Sequence, residues 1–115
     1  TESFTVHRGH TRIFDFVEDT CRTFANIVDN FVPGEVYNVG GREDWAIGIE
    51  ELGEIVLRET GADRVLMELA DEEAFTTRVK VVDFSKARRD LGHDPTIDIG
   101  EGIRRYVAWA RTIYA

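Results

Sequence analysis

The sequence predicts an α+β fold in which short mixed strands alternate with amphipathic helices. The chain has 115 residues, the length of one ordinary domain and enough to bury a hydrophobic core. Hydrophobic residues make up 43% of it and charged residues 31%, a composition typical of globular proteins. The sequence contains no internal repeat or low-complexity stretch. It therefore predicts one domain over residues 1–115.

Two strands joined by a turn are predicted at the start of the chain. Phe4 and Val6 alternate with polar residues, and Arg8-Gly9 follows them as a turn. Residues 13–17 are mostly apolar and indicate the returning strand. Arg12 immediately precedes this apolar run, which places a guanidinium at the head of a predicted strand in a chain of net charge −8.

A helix is predicted after these strands. Asp19 or Thr20 can cap its N-terminus, and Pro33-Gly34 stops it. Five of its apolar residues recur at helical spacing and are expected to face the core. They are Cys21, Phe24, Ala25, Val28 and Phe31. The single cysteine has no partner for an internal disulfide, and we expect it to be small core filler.

A third strand and a second helix are expected in the middle of the chain. Residues 36–39 form a short apolar run that ends at Gly40-Gly41. We interpret this glycine pair as a plain turn, because no phosphate-loop motif follows it. The next helix begins after Gly48, with Ile47 and Leu52 placed as a hydrophobic staple, and it ends near Gly61.

The C-terminal part of the chain, from residue 65 onward, predicts two strands and two helices. Residues 65–69 and 79–82 are apolar runs that favour strands. Asp83 can cap a short helix that Gly92 terminates, and Asp98 with Glu101 resembles a capping box for the closing helix. That helix is expected to bury Ile99, Ile103, Tyr106, Val107, Ala110 and Ile113.

The charge balance excludes several classes of partner. Fourteen basic residues stand against 22 acidic ones, whereas nucleic acids and anionic membrane surfaces attract basic faces. The apolar runs are too short to span a bilayer. No charged-then-apolar leader is visible, so the expected compartment is the cytoplasm.

Few side chains can carry chemistry. His7, His10 and His93 lack the spacing of a metal site, and no nucleophile–base pair is apparent. Two arginines, Arg12 and Arg78, lie beside apolar runs near predicted strand ends. An arginine fork suits an anionic phosphate group. A surface ion pair of Arg12 with Glu18 or Asp19 is the alternative.

Six segments of the chain follow one another in a recognisable order. They are Thr11-Arg12-x-Phe14-x-Phe16-Val17-x-Asp19, Gly34-Glu35-Val36-Tyr37-Asn38-Val39-Gly40-Gly41, Ile49-Glu50-Glu51-Leu52, Asp83-x-Ser85-Lys86-Ala87-x-x-Asp90-Leu91-Gly92, Pro95 with its following acidic-capped helix, and Tyr106-x-x-Trp109. In this order they resemble the C-terminal, substrate-binding lobe of the NAD-dependent epimerase/dehydratase family, the extended short-chain dehydrogenases that act on nucleotide sugars. The resemblance runs from about Phe4 to about Arg111.

The resemblance implies a piece of a larger enzyme. Family members carry NAD and a Tyr-x-x-x-Lys pair on an N-terminal Rossmann half, and neither that pair nor the glycine-rich turn occurs in this chain. The expected partners are therefore the chain's own Rossmann half and a UDP-, dTDP- or GDP-linked sugar, with a homodimer formed through the missing half. NAD is expected in the full-length enzyme, and this chain by itself is expected to bind no cofactor, hold no catalytic residue and be inactive.

The resemblance also assigns roles to the two arginines. Arg12 matches the family arginine that reaches the diphosphate of the nucleotide. A second family arginine, followed by proline, is replaced here by Glu73-Ala74. Either Arg78, five residues later, takes over that contact, or the contact is absent. The loops 40–46 and 71–77 are the expected cleft-facing segments.

Three functions remain open from the sequence. The favoured one is the substrate-binding lobe of a nucleotide-sugar epimerase or dehydratase. The second is the same lobe in a reductase or a non-redox relative. The third is a stand-alone binding or assembly module without an enzyme attached.

Overall fold

The computed structural model describes residues 2–114, which form four α-helices and four short strands. The strands are β1 (Phe4–His7), β2 (Thr11–Arg12), β3 (Ile47–Gly48) and β4 (Met67–Ala70). The helices are α1 (Val17–Asn30), α2 (Ile49–Thr60), α3 (Ser85–Leu91) and α4 (Ile99–Ile113), and 3-10 turns occupy Glu43–Trp45 and Arg64–Leu66. The β1–β4 pair is parallel and the β2–β3 pair is antiparallel. The predicted α+β fold with mixed strands is confirmed.

The chain divides into two compact units. Among the described residues, the first comprises 2–12, 46–80 and 100–114. The second comprises residues 13–45 and 81–99.

The first unit is built around the parallel strand pair and helix α2. Phe4 pairs with Met67 and His7 with Ala70, so that Val6 and Met67 meet Leu57 of α2 in a small core. Gly53 of α2 allows this packing, because a Cβ there would lie 2.3 Å from the Met67 sulfur. The predicted turn at Arg8-Gly9 is present, and Gly9 has φ +81° there.

The second unit packs α1 against α3 around buried polar side chains. Asn26 of α1 donates a hydrogen bond of 2.9 Å to the carbonyl of Leu91. Asp19, Thr23 and His93 are buried beside apolar residues of α3 and its flanking segments. Those apolar residues are Phe84, Ala87, Leu91 and Ile97.

Four predicted strands differ from the structure. Residues 13–17 were expected to form one strand, but the strand is β2 and α1 already begins at Val17. Residues 36–39 pair with no strand among residues 2–114. In residues 79–82 only Val79 makes a bridge, to Thr11. The fourth predicted strand, 65–69, is shifted to β4 because a 3-10 turn occupies its start.

The helix ends were predicted better than the strands. Gly48 is the N-cap of α2, and Gly61 closes that helix in the left-handed conformation. Gly92 closes α3 in the same way. The Asp83 carboxylate accepts a hydrogen bond of 2.9 Å from the Ser85 amide at the start of α3. The cap predicted for α1 is wrong, because Phe16 occupies that position without a side-chain hydrogen bond.

The apolar face of α1 is exposed, contrary to the expectation that it lines the core. Phe24 is 56%, Val28 84% and Phe31 60% exposed, and Cys21 is also exposed. The buried residues of α1 are the polar Asp19 and Thr23. In α4, Tyr106 and Ile113 were likewise expected inside and are exposed.

Candidate functional site

The first unit brings the two predicted arginines together. The amide of Thr11 donates to the carbonyl of Arg78 over 2.7 Å, and Thr11 forms a parallel bridge with Val79. On the other side, β2 pairs with β3, with Arg12 opposite Ile47. Arg12 therefore lies on a two-residue strand held from both sides, directly beside the segment that carries Arg78.

The Arg12 side chain is fixed by main-chain carbonyls. Its Nη1 donates to the carbonyl of Thr11 over 2.8 Å and to that of Arg78 over 3.1 Å. A guanidinium has five N–H donors. Within residues 2–114 the Nε and Nη2 groups of Arg12 donate to no acceptor. The side chain is thus oriented while most of its hydrogen-bonding capacity remains available to a ligand.

The alternative interpretation of Arg12 as a surface ion pair with Asp19 requires Asp19 to lie on the surface, and it does not. It is almost fully buried, at 2% exposure, and its Oδ1 accepts from Arg22 over 2.9 Å. It also accepts from the amides of Thr96 and Ile97 and from the Thr96 hydroxyl.

Arg78 is held by a carboxylate. Its Nε and Nη2 donate to the two oxygens of Glu72 over 2.5 and 2.9 Å. The hydrogen bonds from Arg78 lower the pKa of Glu72, and the same contact raises the pKa of Arg78. Both groups are therefore charged at neutral pH.

An acidic residue occupies the position of the second family arginine. Glu73 Oε1 lies 3.8 Å from Nε2 of His7, and both side chains are exposed to solvent. His7 Nδ1 also lies 2.9 Å from the carbonyl of Asp71. Glu73 thus contributes a negative charge where the resemblance leads one to expect a phosphate-binding cation.

The structure adds His10 to this region, which sequence reasoning considered only as a metal ligand. His10 is 5% exposed, and neither ring nitrogen has a hydrogen-bond partner in residues 2–114. Its carbonyl accepts from the Ile49 amide over 3.0 Å, at the start of α2. Nothing in the sequence marks it except its position two residues before Arg12.

His93 is a structural residue of the second unit. Its Nδ1 lies 2.6 Å from Thr23 Oγ1 and its Nε2 lies 2.8 Å from the carbonyl of Gly40. The ring is fully buried and meets Phe84 edge-on. Residues 2–114 contain no group of three acidic, histidine or cysteine side chains that could hold a metal ion.

The predicted cleft loops lie in different units. Loop 71–77 carries Glu72, the partner of Arg78. Loop 40–46 contributes to an open groove of about 590 Å³ in the second unit. In that groove Arg42 pairs with Asp44, as Arg78 pairs with Glu72, and Arg88 lies over the Phe84 ring. The first unit is the better candidate for anion binding because it contains Arg12, whose Nε and Nη2 are unused within residues 2–114.

No helix within residues 2–114 has the length and hydropathy needed to cross a membrane.

Comparison with known proteins relates the chain to enzymes of nucleotide-sugar metabolism. It is 35% identical over 95 residues to a dTDP-glucose 4,6-dehydratase from Actinoplanes sp., and this match covers 83% of the chain and 29% of the relative. A dTDP-glucose 4,6-dehydratase from Neisseria meningitidis is 36% identical over 104 residues, covering 82% and 29%. The chain thus spans less than a third of the length of these relatives. No family model matches the sequence.

The fold agrees with this relationship. The UDP-glucose 4-epimerase of Thermotoga maritima, solved with UDP-glucose, superposes with a TM-score of 0.83 at 22% identity. This superposition covers 99% of the chain and 36% of the epimerase. The matched part of such structures is their C-terminal lobe.

Proposed function

We propose that this chain, the C-terminal lobe of a member of the NAD-dependent epimerase/dehydratase family, binds a nucleotide sugar through Arg12. The observation that carries the proposal is the state of the Arg12 side chain. Two carbonyls hold one of its nitrogens, and the other two are unused within residues 2–114. An arginine oriented in advance loses little entropy on binding, and its planar fork matches the oxygens of a diphosphate.

Arg78 is the proposed second contact with the diphosphate. Its carbonyl accepts from Arg12, so the two side chains start from adjacent points of the first unit. The Nη1 group of Arg78 donates to no acceptor among the described residues. Two arginines that extend from adjacent backbone positions suit a ligand that carries two negative phosphates. Their positive charges also offset locally the net charge of −8 of the chain.

We place NAD binding and catalysis outside this chain. Its tyrosines have no lysine four residues later, and the glycine-rich turn that binds a dinucleotide is absent. Solved neighbours include a dTDP-glucose 4,6-dehydratase from Streptomyces venezuelae with NAD bound, of which the chain covers 34%. The proposed activity of the full-length protein is an NAD-dependent epimerisation or dehydration of a nucleotide sugar.

The proposed partner of α1 is the remainder of the full-length protein. A contiguous apolar helix face on a soluble domain usually marks an interface. Phe24, Val28 and Phe31 form such a face, and the match covers only 29% of a relative from Actinoplanes sp.. This remainder includes the Rossmann half that the resemblance implies.

The test is the steady-state kinetics of the full-length protein with dTDP-glucose and UDP-glucose. Arg12→Ala is expected to raise the KM for the accepted nucleotide sugar about ten- to a hundredfold, because one charge-assisted contact is lost. NAD affinity should be unchanged. Arg12→Lys should restore only part of the loss, since an ammonium cannot make a two-point contact.

Arg58→Ala is the matched control. Arg58 is an exposed arginine whose side chain binds the adjacent Glu59, and its loss should leave the KM unchanged. A normal KM for Arg12→Ala together with a lowered melting temperature would mean that Arg12 is a structural residue and that the proposal is wrong.

A further inference from the structure

The Glu72–Arg78 ion pair uses only one edge of the guanidinium. Glu72 accepts from Nε and Nη2, which form the side edge of the arginine. A guanidinium has a second two-donor edge, made by Nη1 and Nη2, at its end. In Arg78 one N–H of Nη2 binds Glu72, and the N–H groups of the end edge, on Nη1 and on the other side of Nη2, have no further acceptor within residues 2–114. A phosphate can therefore bind Arg78 end-on without displacing the carboxylate.

The carboxylate is the less exposed member of the pair. The Glu72 side chain is 33% exposed, whereas that of Arg78 is 74% exposed. Glu72 also packs against the β1–β2 turn, where a Cβ added to Gly9 would lie 3.5 Å from the carboxyl carbon. Gly9 has φ +81°, which disfavours any side chain at that position. Glu72 thus lies beside the turn that leads into the strand carrying Arg12.

We propose that Glu72 is a positioning residue for nucleotide binding, which orients Arg78 so that its end edge meets the diphosphate bound by Arg12. This inference rests on the proposed function above. A long exposed arginine samples many rotamers, and ordering it before binding removes part of the entropy cost of the contact. Glu72 supplies that order through two hydrogen bonds, and Arg78 keeps its charge in the presence of this partner.

The test is the affinity of the full-length protein for dTDP and UDP, measured by isothermal titration calorimetry. Glu72→Gln keeps the shape of the side chain but removes the charge and one of the two acceptors. It is expected to weaken binding of the accepted nucleotide about three- to tenfold. Glu73→Gln is the matched control, because it removes the same charge from the next residue, which does not bind Arg78, and it should not weaken binding.

A double-mutant cycle shows whether Glu72 acts through Arg78. In an Arg78→Ala background, Glu72→Gln should cause no further loss, whereas a general structural effect would persist. Equal or tighter binding by Glu72→Gln would overturn the inference and show that the carboxylate competes with the ligand. A silent Arg78→Ala variant would overturn it as well.

Arg12→Ala separates this inference from the proposed function. If Arg12→Ala binds dTDP and UDP as the wild type does, both the proposed function and the role of Glu72 are wrong. If Arg12→Ala weakens binding and Glu72→Gln does not, the proposed function stands and only the positioning role fails.

Discussion

The buried carboxylate of Asp19 shows how one residue ties distant parts of the second unit together. Its Oδ2 accepts from the amides of Thr96 and Ile97 over 3.0 and 2.9 Å. Its Oδ1 accepts from Arg22. Burial by itself would raise the pKa of Asp19, but the hydrogen bonds from Ile97, Thr96 and Arg22 outweigh it and lower the pKa below its ordinary value of 3.8.

Asp19→Asn is expected to destabilise the protein by about 1.5–3 kcal/mol at pH 7, because hydrogen bonds to a charged, buried acceptor are lost. The folded-state pKa lies below 3.8, so the contribution of Asp19 is present above pH 3.8 and is lost as the pH falls through the folded-state pKa. The difference between wild type and variant should therefore shrink below pH 3.8. Urea denaturation across this pH range measures it.

Asp29→Asn on the exposed side of α1 provides the control, and it should change the free energy of unfolding by less than about 0.5 kcal/mol. Equal stability of wild type and Asp19→Asn at pH 7 would contradict the assigned role.

The sequence predicts Asp19 as a helix cap, because its residue type and its position before a helix fit that role. The amides that Asp19 binds, those of Thr96 and Ile97, lie 77 and 78 residues further along the chain, so no local sequence pattern predicts the contact.

At the scale of elements, the Gly40-Gly41 segment serves close packing and not a turn. Neither glycine has a positive φ, and neither lies in a turn. A Cβ on Gly41 would lie 2.1 Å from the carbonyl oxygen of Phe14, which is main chain and cannot rotate away. A Cβ on Gly40 would lie 3.2 Å from the Val82 side chain.

Gly41→Ala is therefore expected to destabilise the protein by about 1–3 kcal/mol or more, as forced overpacking does. Gly40→Ala is the matched variant and should cost clearly less, since a side chain can move by a few tenths of an ångström. Thermal unfolding of the two variants compares them. If Gly40→Ala were the more harmful change, the close approach at Phe14 would not be the reason for the glycine pair.

The ends of two helices could be predicted from the local sequence, whereas most strands could not. Gly61 and Gly92 end their helices where predicted, because a left-handed C-cap depends on one residue. Residues 36–39 are apolar enough for a strand, yet a strand needs a partner and none of the described residues supplies one. The apolar periodicity of α1 predicted a face buried in the core, and that prediction is wrong for the described residues, because a periodic pattern does not specify which segment would cover the face.

At the scale of the molecule, the exposed face of α1 bears on how this lobe joins the rest of the protein. Val28 is 84% exposed, and Val65, in the first unit, is 75% exposed. In the full-length protein Val28→Ser is expected to lower the free energy of unfolding by about 1.5–3 kcal/mol, the value for burying a valine. Val65→Ser should change it by less than about 0.5 kcal/mol.

Chemical denaturation of the two full-length variants measures this difference. Equal, small effects at Val28 and Val65 would mean that the remainder of the protein does not cover this face of α1. The result bears on the proposed partner and leaves the role of Arg12 untouched.

Only part of the candidate arginine site could be predicted from the sequence. Arg12 and Arg78 could be selected because each lies beside an apolar run, and the structure places them next to each other. Glu72 could not be predicted as a positioning residue, because that proposed role depends on which edge of the Arg78 guanidinium it binds. Such geometry arises from the pairing of Thr11 with residues 78 and 79, which are more than sixty positions away.

A crystal structure of the full-length protein with dTDP-glucose or UDP-glucose would show whether Arg12 binds the diphosphate of a nucleotide sugar. We expect Nε or Nη2 of Arg12 to donate to a diphosphate oxygen at about 2.7–2.9 Å. Nη1 should keep its contacts with the carbonyls of Thr11 and Arg78. A bound nucleotide sugar whose diphosphate makes no contact with Arg12 would contradict the proposed role of Arg12.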